Sequence, residues 1–465
     1  MKESDVLVIG GGPAGTIAAI RAANLGAKTT LVTSGAFGGM AANNGPIPVR
    51  TLAHAARLAR EARQLARFGF NIGDVSLDYE ALLQRASDVV HRAREHSTFR
   101  SDVERAGAEV IEHAGDARFI DPHAVTLPSG EVIRARHIII CTGGVSRPLT
   151  VPGADLTVTP ADAFSLTAVP RSMIVIGGGM TGLQVASIFN AFGTSVHLFE
   201  AGERILKAED VDVSAEVTRA FREDGITIHE RFGVIQSFAR ATDGGVTMHY
   251  GDGQTITAQL AVCTAGWIAD TKALSLATAG VALGPRGFIA VNEYLQTSSK
   301  HIFAAGDVTG RWMLVPQSAY DGYVAGTNAT AREMLRADEA VNPIGSFTDP
   351  EYARVGCTEA QARASGDVLV SVARYEETTR PIIDDRTRGF CKIVVDNESR
   401  TLLGVHVVGE RAVEVAQMGA IAMVAQMTID ELARVQLSFP TYANVFGRAV
   451  VSAVRQAVPE TAMSN

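Results

Sequence analysis

Two glycine-rich turns of one design, Gly10-Gly-Gly-Pro-Ala-Gly15 and Gly177-Gly-Gly-Met-Thr-Gly182, constrain this chain more than any other feature. Each follows a short β-branched run, Val6 to Ile9 or Met173 to Ile176, and opens a helix of small residues that stops at Gly26 or Gly193. Strand, tight turn and helix form the start of a βαβ unit. The first glycine makes the turn, the second lets a pyrophosphate approach the backbone, and the third lets the helix pack on the strand. One such turn is weak evidence, but two in context predict two dinucleotide sites. Gly10, Gly12, Pro13, Ala14 and Gly15 build the first, and Gly177, Gly179 and Gly182 the second.

The residue that ends the second strand of such a unit sets the ribose chemistry. Glu200 ends Ser195 to Glu200, where a carboxylate accepts from the 2′-hydroxyl and repels a 2′-phosphate. This predicts NAD(H) over NADP(H), with Arg204 the nearby cation that argues the other way. The same offset in the first unit falls on Thr33, whose hydroxyl is a weaker, uncharged partner.

Composition excludes several classes. Of 465 residues, 46% are hydrophobic and 45 are glycine, which suits a globular α/β chain of several domains. The charge of −8 arises from 50 acids against 42 bases with no Lys/Arg-rich run, so no nucleic-acid partner is expected. Cys141, Cys263, Cys357 and Cys391 match no metal or disulfide spacing and read as reduced core thiols of a cytoplasmic protein without a metal site. The apolar stretch from Val6 to Ile20 is interrupted by Gly10, Gly11, Gly12, Pro13 and Gly15, so it is neither a signal peptide nor a membrane span.

Leu52 to Arg67 and Tyr79 to Glu112 have helical spacing with basic outer positions and predict cover helices. Alternating strands are expected at Ile226 to Glu230, Gly245 to Tyr250 and Gln259 to Cys263. Further on, Lys392 to Asp396 and Leu402 to Val408 read as strands before a helix at Val413 to Ala425. A final domain is expected from about Asn342-Pro343.

With Cys141-Thr-Gly-Gly144, Ala305-Gly-Asp307 and Phe347-Thr-Asp-Pro-Glu351 added to the two turns, the motif order resembles the flavoprotein disulfide reductase family, the group of dihydrolipoamide dehydrogenase and mercuric reductase. The resemblance covers nearly the whole chain. It implies an α/β fold of two Rossmann-like domains, for FAD and NAD(H), plus a C-terminal α+β dimerisation domain. It divides the chain into an FAD domain at 1–150, an NAD domain at 151–270, a return to the FAD domain at 271–342 and the dimerisation domain at 343–465. It also implies that Gly39, Thr142, Gly143, Gly266, Gly306 and Asp307 join the nucleotide-binding set. The expected assembly is a homodimer in which the C-terminal domain completes the partner's active site.

The family's redox segment, GGxCxNxGCxPxK, reads here Gly38-Gly-Met-Ala-Ala-Asn-Asn-Gly-Pro-Ile-Pro-Val-Arg50, so Ala41 and Pro46 stand where the thiols belong. No other cysteine falls in a segment that the family sets beside the flavin. The family's HPTxxE acid/base dyad becomes Phe439-Pro-Thr-Tyr-Ala-Asn444, and a phenyl ring moves no proton. The lysine after the redox segment is Arg50, and its carboxylate partner in the second nucleotide helix is Gln184, which predicts a permanent cation beside a neutral amide. Together these changes point to an NADH-preferring flavoenzyme that delivers electrons directly to a small organic acceptor of the quinone, enone or aromatic type. Its pocket would be lined by Met40, Asn43, Asn44 and Pro46, with Phe439, Tyr442 and Asn444 from the partner subunit. Arg50, Gln184, Phe439, Tyr442 and Asn444 are the candidate catalytic residues. A transhydrogenase-like hydride carrier and a non-turnover FAD-binding dimer remain alternatives.

Overall fold

The structure, a computed structural model, describes residues 1–71, 73–96, 99–337 and 341–457. The first glycine turn lies at the mouth of a seven-stranded sheet. Strands β1 (Lys2–Ile9), β2 (Thr29–Val32), β3 (Glu109–Ile111), β4 (Arg118–Asp121), β5 (Ala124–Thr126) and β6 (Val132–Ile140) run in the order β3-β2-β1-β6-β5-β4, and Ile302–Ala304 pairs with β6. The β3-β2-β1-β6 group and Ile302–Ala304 are parallel, while β4 and β5 are antiparallel additions. Leu7, Ile138 and Ile140 are fully buried in this sheet, as central parallel strands covered on both faces require.

The second glycine turn opens from a four-stranded parallel sheet in which Ser172–Ile176 lies between Ser195–Glu200 and Leu260–Cys263, with Thr227–Glu230 at the edge. A three-stranded antiparallel sheet, Ile235–Arg240, Val246–Tyr250 and Gln254–Ala258, packs beside it. Toward the C-terminus, an antiparallel five-stranded sheet runs from Ile344–Ser346 through Tyr352–Gly356, Leu402–Val408 and Phe390–Asp396 to Val368–Arg374. Its core lies against the helices Ala412–Val424 and Ala443–Gln456. The fold is the expected mixed α/β architecture. Among the described residues, no helix is long and apolar enough to cross a membrane.

Helix α1 (Pro13–Asn24) packs closely on the helix Val315–Asn328, because a Cβ at Gly322 would overlap the Ala14 carbonyl and one at Gly326 would stand 2.6 Å from the Ala18 oxygen. After the short helix α2 (Gly39–Asn43), α3 spans Pro46–Gln64 and starts earlier than its apolar spacing predicts. Proline at its first turn loses no hydrogen bond and presets φ for the helix. The expected helix at Tyr79 to Glu112 is broken. It comprises α4 (Tyr79–His96), α5 (Arg100–Arg105) and then β3, with Phe99 left-handed before α5 and Gly107 at φ 87° turning the chain into the sheet. Glu109, Val110 and Ile111 pair with Thr30, Leu31 and Val32, so a β-branched edge strand wins over helical spacing.

Candidate functional site

A cavity of about 1080 Å³ begins at the first glycine turn and reaches Met180 and Thr181 at the start of the second nucleotide helix, Met180–Ala191. Its cradle is backbone. Gly10 has φ 113°, and a Cβ there would overlap the Cys141 carbonyl; Gly39 has φ 57°, and a Cβ there would lie 2.7 Å from Gly12 Cα. Only glycine permits this close approach of the two loops. Gly12 and Pro13 start α1, so free N–H groups and the positive end of the helix dipole face the cavity, as an anionic pyrophosphate requires. Ala14 also lines the cavity, whereas Gly15 lies behind it against the Gly10 carbonyl.

Thr33, Thr142, Gly143, Gly306 and Asp307 line the same space. The Thr33 N–H donates to Ile111 O at 3.0 Å and its carbonyl accepts from Ala114 at 3.0 Å, so the loop after β3 is fastened beside it. The Thr142 hydroxyl is committed to Asp270 O at 2.6 Å. Asp307 accepts from the Ser318 hydroxyl at 3.2 Å, and burial pushes its carboxyl above the usual carboxylate range despite that bond.

Arg50 and Gln184 both line the cavity, and each keeps a buried donor, Nη1 and Nε2 respectively, without a hydrogen-bond partner. The Arg50 guanidinium stacks 3.5 Å from the Phe347 ring centroid. Burial lowers its pKa to about 10, against the Coulombic pull of Glu351 and Tyr352, and it stays cationic at neutral pH. Arg50 and the neutral Gln184 amide share the cavity, and Glu351 acts on Arg50 electrostatically. Met40, Ala41, Asn43, Asn44 and Pro46 form another wall. The Asn43 amide is occupied, accepting from Arg94 at 2.6 Å and donating to Ala36 O and Phe37 O, each at 3.3 Å. Cys141 also lines the cavity, contrary to the expectation that every cysteine lies away from it; burial pushes its thiol far up, so it is no thiolate.

The C-terminal candidates do not reach this cavity within one chain. Phe439 is 73% exposed. Tyr442 donates its hydroxyl to Asp384 at 2.8 Å, and the Asn444 side-chain oxygen accepts from the Thr441 N–H at 2.8 Å. Asn444 thus fastens its own turn.

In the second unit, Gly177 at φ 111° would place a Cβ 2.6 Å from Thr264 O, and Gly182 packs on the Gly177 carbonyl, while Gly179 faces open space. Gly266, at φ 113°, also faces open space. Glu200 accepts from the Gly178 N–H at 2.8 Å and the Gly202 N–H at 2.7 Å. Arg204 turns away from that edge and donates to Leu206 O, Lys207 O and Glu209 O at 3.0, 3.1 and 3.0 Å.

Sequence reasoning did not single out Phe164, Trp267, Asp270, Phe347 or Glu351 as site residues. The first four line the cavity, and Glu351 acts on Arg50 from behind it. Phe347 and Glu351 lay within a recognised motif, but nothing in the spacing marks the contact of Phe347 with Arg50, some three hundred residues away.

The model of pyridine nucleotide-disulphide oxidoreductases matches residues 4–322, and that of their dimerisation domain matches residues 342–450. The chain is 29% identical to dihydrolipoyl dehydrogenase of Bacillus subtilis, over 98% of this chain and 99% of that one. It is 30% identical to a mercuric reductase of Staphylococcus aureus, over 92% and 79% respectively. A solved structure, the HOCl-induced flavoprotein disulfide reductase RclA from Escherichia coli, superposes with a TM-score of 0.87 at 25% identity, covering 96% of this chain and 99% of that one. The glycine cradle, the α1 N-terminus, the Asp307 carboxylate and the unpartnered donors of Arg50 and Gln184 suit the pyrophosphate, ribityl hydroxyls and ring acceptors of FAD. The chain belongs to the pyridine nucleotide-disulphide oxidoreductase family, flavoproteins that use FAD and NAD(P)H, and carries that family's dimerisation domain.

Proposed function

We propose that this protein is an NADH-preferring FAD oxidoreductase whose electrons pass directly to a small, planar organic acceptor, without a redox disulfide. The observation that carries this reading is that Ala41 and Pro46 line the cavity shared by Arg50, Gln184 and the glycine cradle. The flavin, when bound, supplies the two-electron chemistry, accepting hydride from a nicotinamide and returning electrons to the acceptor. The protein's own residues do the rest. The α1 N-terminus and the cradle hold the pyrophosphate, and Asp307 accepts from hydroxyls. Arg50 holds a positive charge at the ring without donating its proton at neutral pH, which favours negative charge there. Met40, Ala41 and Pro46 offer apolar surface to a flat acceptor, and Phe439 of a second copy would close it from outside.

NADH preference is supported by Glu200, which lies on the ribose side of the second turn, and by the carbonyl contacts that keep Arg204 from a 2′-phosphate. The named relatives include a disulfide reductase, and this chain departs from such chemistry at positions 41, 46, 439 and 444. An anaerobic titration of the purified holoprotein with NADH, and separately NADPH, tests the reading. Bleaching of the flavin by stoichiometric NADH with no thiolate charge-transfer band, followed by reoxidation with a quinone or enone, is expected. Flavin that neither nucleotide reduces would overturn it, and NADPH-driven reduction of an NAD analogue would favour a transhydrogenase.

A further inference from the structure

The short helical turn Gly306–Thr309 has a cavity on each side of it. Gly306 and Asp307 line the nucleotide cavity, whereas Thr309 lines a second one of about 540 Å³. Three arginines from three separate segments border this second space, Arg286, Arg311 and Arg336. Arg286 sits in a tight turn, where the Gly287 N–H donates to Gly284 O at 2.9 Å and the Gly284 N–H to Phe288 O at 2.8 Å, and its guanidinium donates to Gly310 O at 3.2 Å. Arg336 follows Leu335, whose N–H donates to the Asn328 side chain at 2.7 Å and whose carbonyl accepts from it at 2.8 Å. The next residue, Ala337, donates its N–H to Glu293 O at 2.7 Å and accepts from Arg311 Nη2 at 3.1 Å. The three backbones are thus tied together around the opening. Their charges are less engaged. Arg311 Nη1 is buried without a hydrogen-bond partner, 3.5 Å from Oδ1 of the buried Asp321 behind it. Arg336 is exposed and makes no hydrogen bond or ion pair among the described residues. Glu293 is the only acid at the wall among the described residues, so three cations face one carboxylate in a chain of net charge −8.

We propose that this second cavity binds a small phosphorylated metabolite, with the phosphate clasped by Arg286, Arg311 and Arg336. A guanidinium is a permanently charged fork that matches a pair of phosphate oxygens. One fork satisfies a planar carboxylate, whereas forks arriving from three segments suit a tetrahedral dianion. The space is larger than a lone phosphate needs, and Pro285, Ile289 and Val291 give it an apolar side for an organic body. The site is separate from the nucleotide cavity and does not depend on which acceptor the flavin reduces.

The test is calorimetric titration of the holoprotein, with NAD⁺ saturating so that both nucleotide sites are filled, using inorganic phosphate, glycerol 3-phosphate and acetate at constant ionic strength. Both phosphates should bind saturably at one site per chain, the ester more tightly, and acetate should not bind. R336Q and R286Q change exposed side chains and should leave the fold intact, and each should weaken phosphate binding by about tenfold or more, the value of a hydrogen bond to a charged group. E293Q removes the opposing carboxylate and should tighten it. R311Q also strands the buried Asp321, so the exposed pair carries the test. No saturable heat from phosphate once the nucleotide sites are filled, or the same affinity in R336Q and R286Q as in the wild type, overturns the site. An ester that binds no more tightly than inorganic phosphate overturns the metabolite as its occupant. None of these readouts involves flavin reduction, so their failure leaves the electron-transfer reading untouched.

Discussion

At the scale of single residues, the second nucleotide site depends on a charge that is already half engaged. Both Glu200 oxygens accept a backbone N–H, which holds the carboxylate in one orientation beside the second glycine turn. Glu200→Ala should weaken NADH binding by about ten- to a hundredfold, the value of one hydrogen bond to a charged group. NADPH should gain little, because Arg204 remains tied to three carbonyls; titration of flavin reduction with each nucleotide checks both halves. The acid was legible in the sequence, since its offset from Gly177 is fixed by strand and helix length. The commitment of Arg204 was not, because a hydrogen bond to a carbonyl leaves no mark on residue identity. Thr33 is the converse case, a departure visible in the sequence whose backbone contacts only the fold reveals.

At the scale of elements, the cradle depends on two helices approaching to backbone contact. Gly322→Val should push Val315–Asn328 off α1, whose N-terminus faces the cavity, at a cost above the 1–3 kcal/mol or so typical of overpacking. The readout is a lower flavin-to-protein absorbance ratio together with an earlier unfolding transition. Helix α3 shows why elements were read less well than motifs. Its pattern marked a covering helix, yet it is the hub of the site. It starts at Pro46, aims Arg50 into the cavity, and holds Met180–Ala191 through Arg60 to Ser187 O at 2.5 Å and Arg63 to Ala191 O at 2.9 Å. Apolar periodicity reports which face is buried and is silent on what long basic side chains reach from the other.

At the scale of the molecule, the second nucleotide unit is fastened to the C-terminal sheet by a buried cation. The Lys392 side chain is 1% exposed and meets Asp210 at 2.9 Å, Asp212 at 2.7 Å and Glu359 at 2.6 Å, and Arg354 reaches Glu209 at 2.9 Å alongside. Burial alone would depress the Lys392 ammonium, but its hydrogen bonds to the three carboxylates hold it above its ordinary value. Burial likewise works against Asp210, yet Lys392 and the Glu359 N–H hold its carboxyl below the usual range, so it contributes stability above about pH 4 that is lost as pH falls. Lys392→Met should cost about 3–5 kcal/mol at neutral pH, since it strands a buried carboxylate. The difference from the wild type should shrink in acid as Asp210 takes up a proton, read from denaturation midpoints across pH. The whole architecture was legible because paired turns and motif order carry it. This clamp was not, since its residues are ordinary surface charges until two domains meet.

The cysteines have a consequence for life under chemical stress. The family's redox segment carries a thiol pair, and thiolates are the form of sulfur that oxidants and alkylating electrophiles attack. Here alanine and proline occupy those positions, Cys141, Cys263 and Cys391 are buried, and Cys357 is partly covered. A cavity wall built this way has no sulfur pair at positions 41 and 46 for such reagents to take.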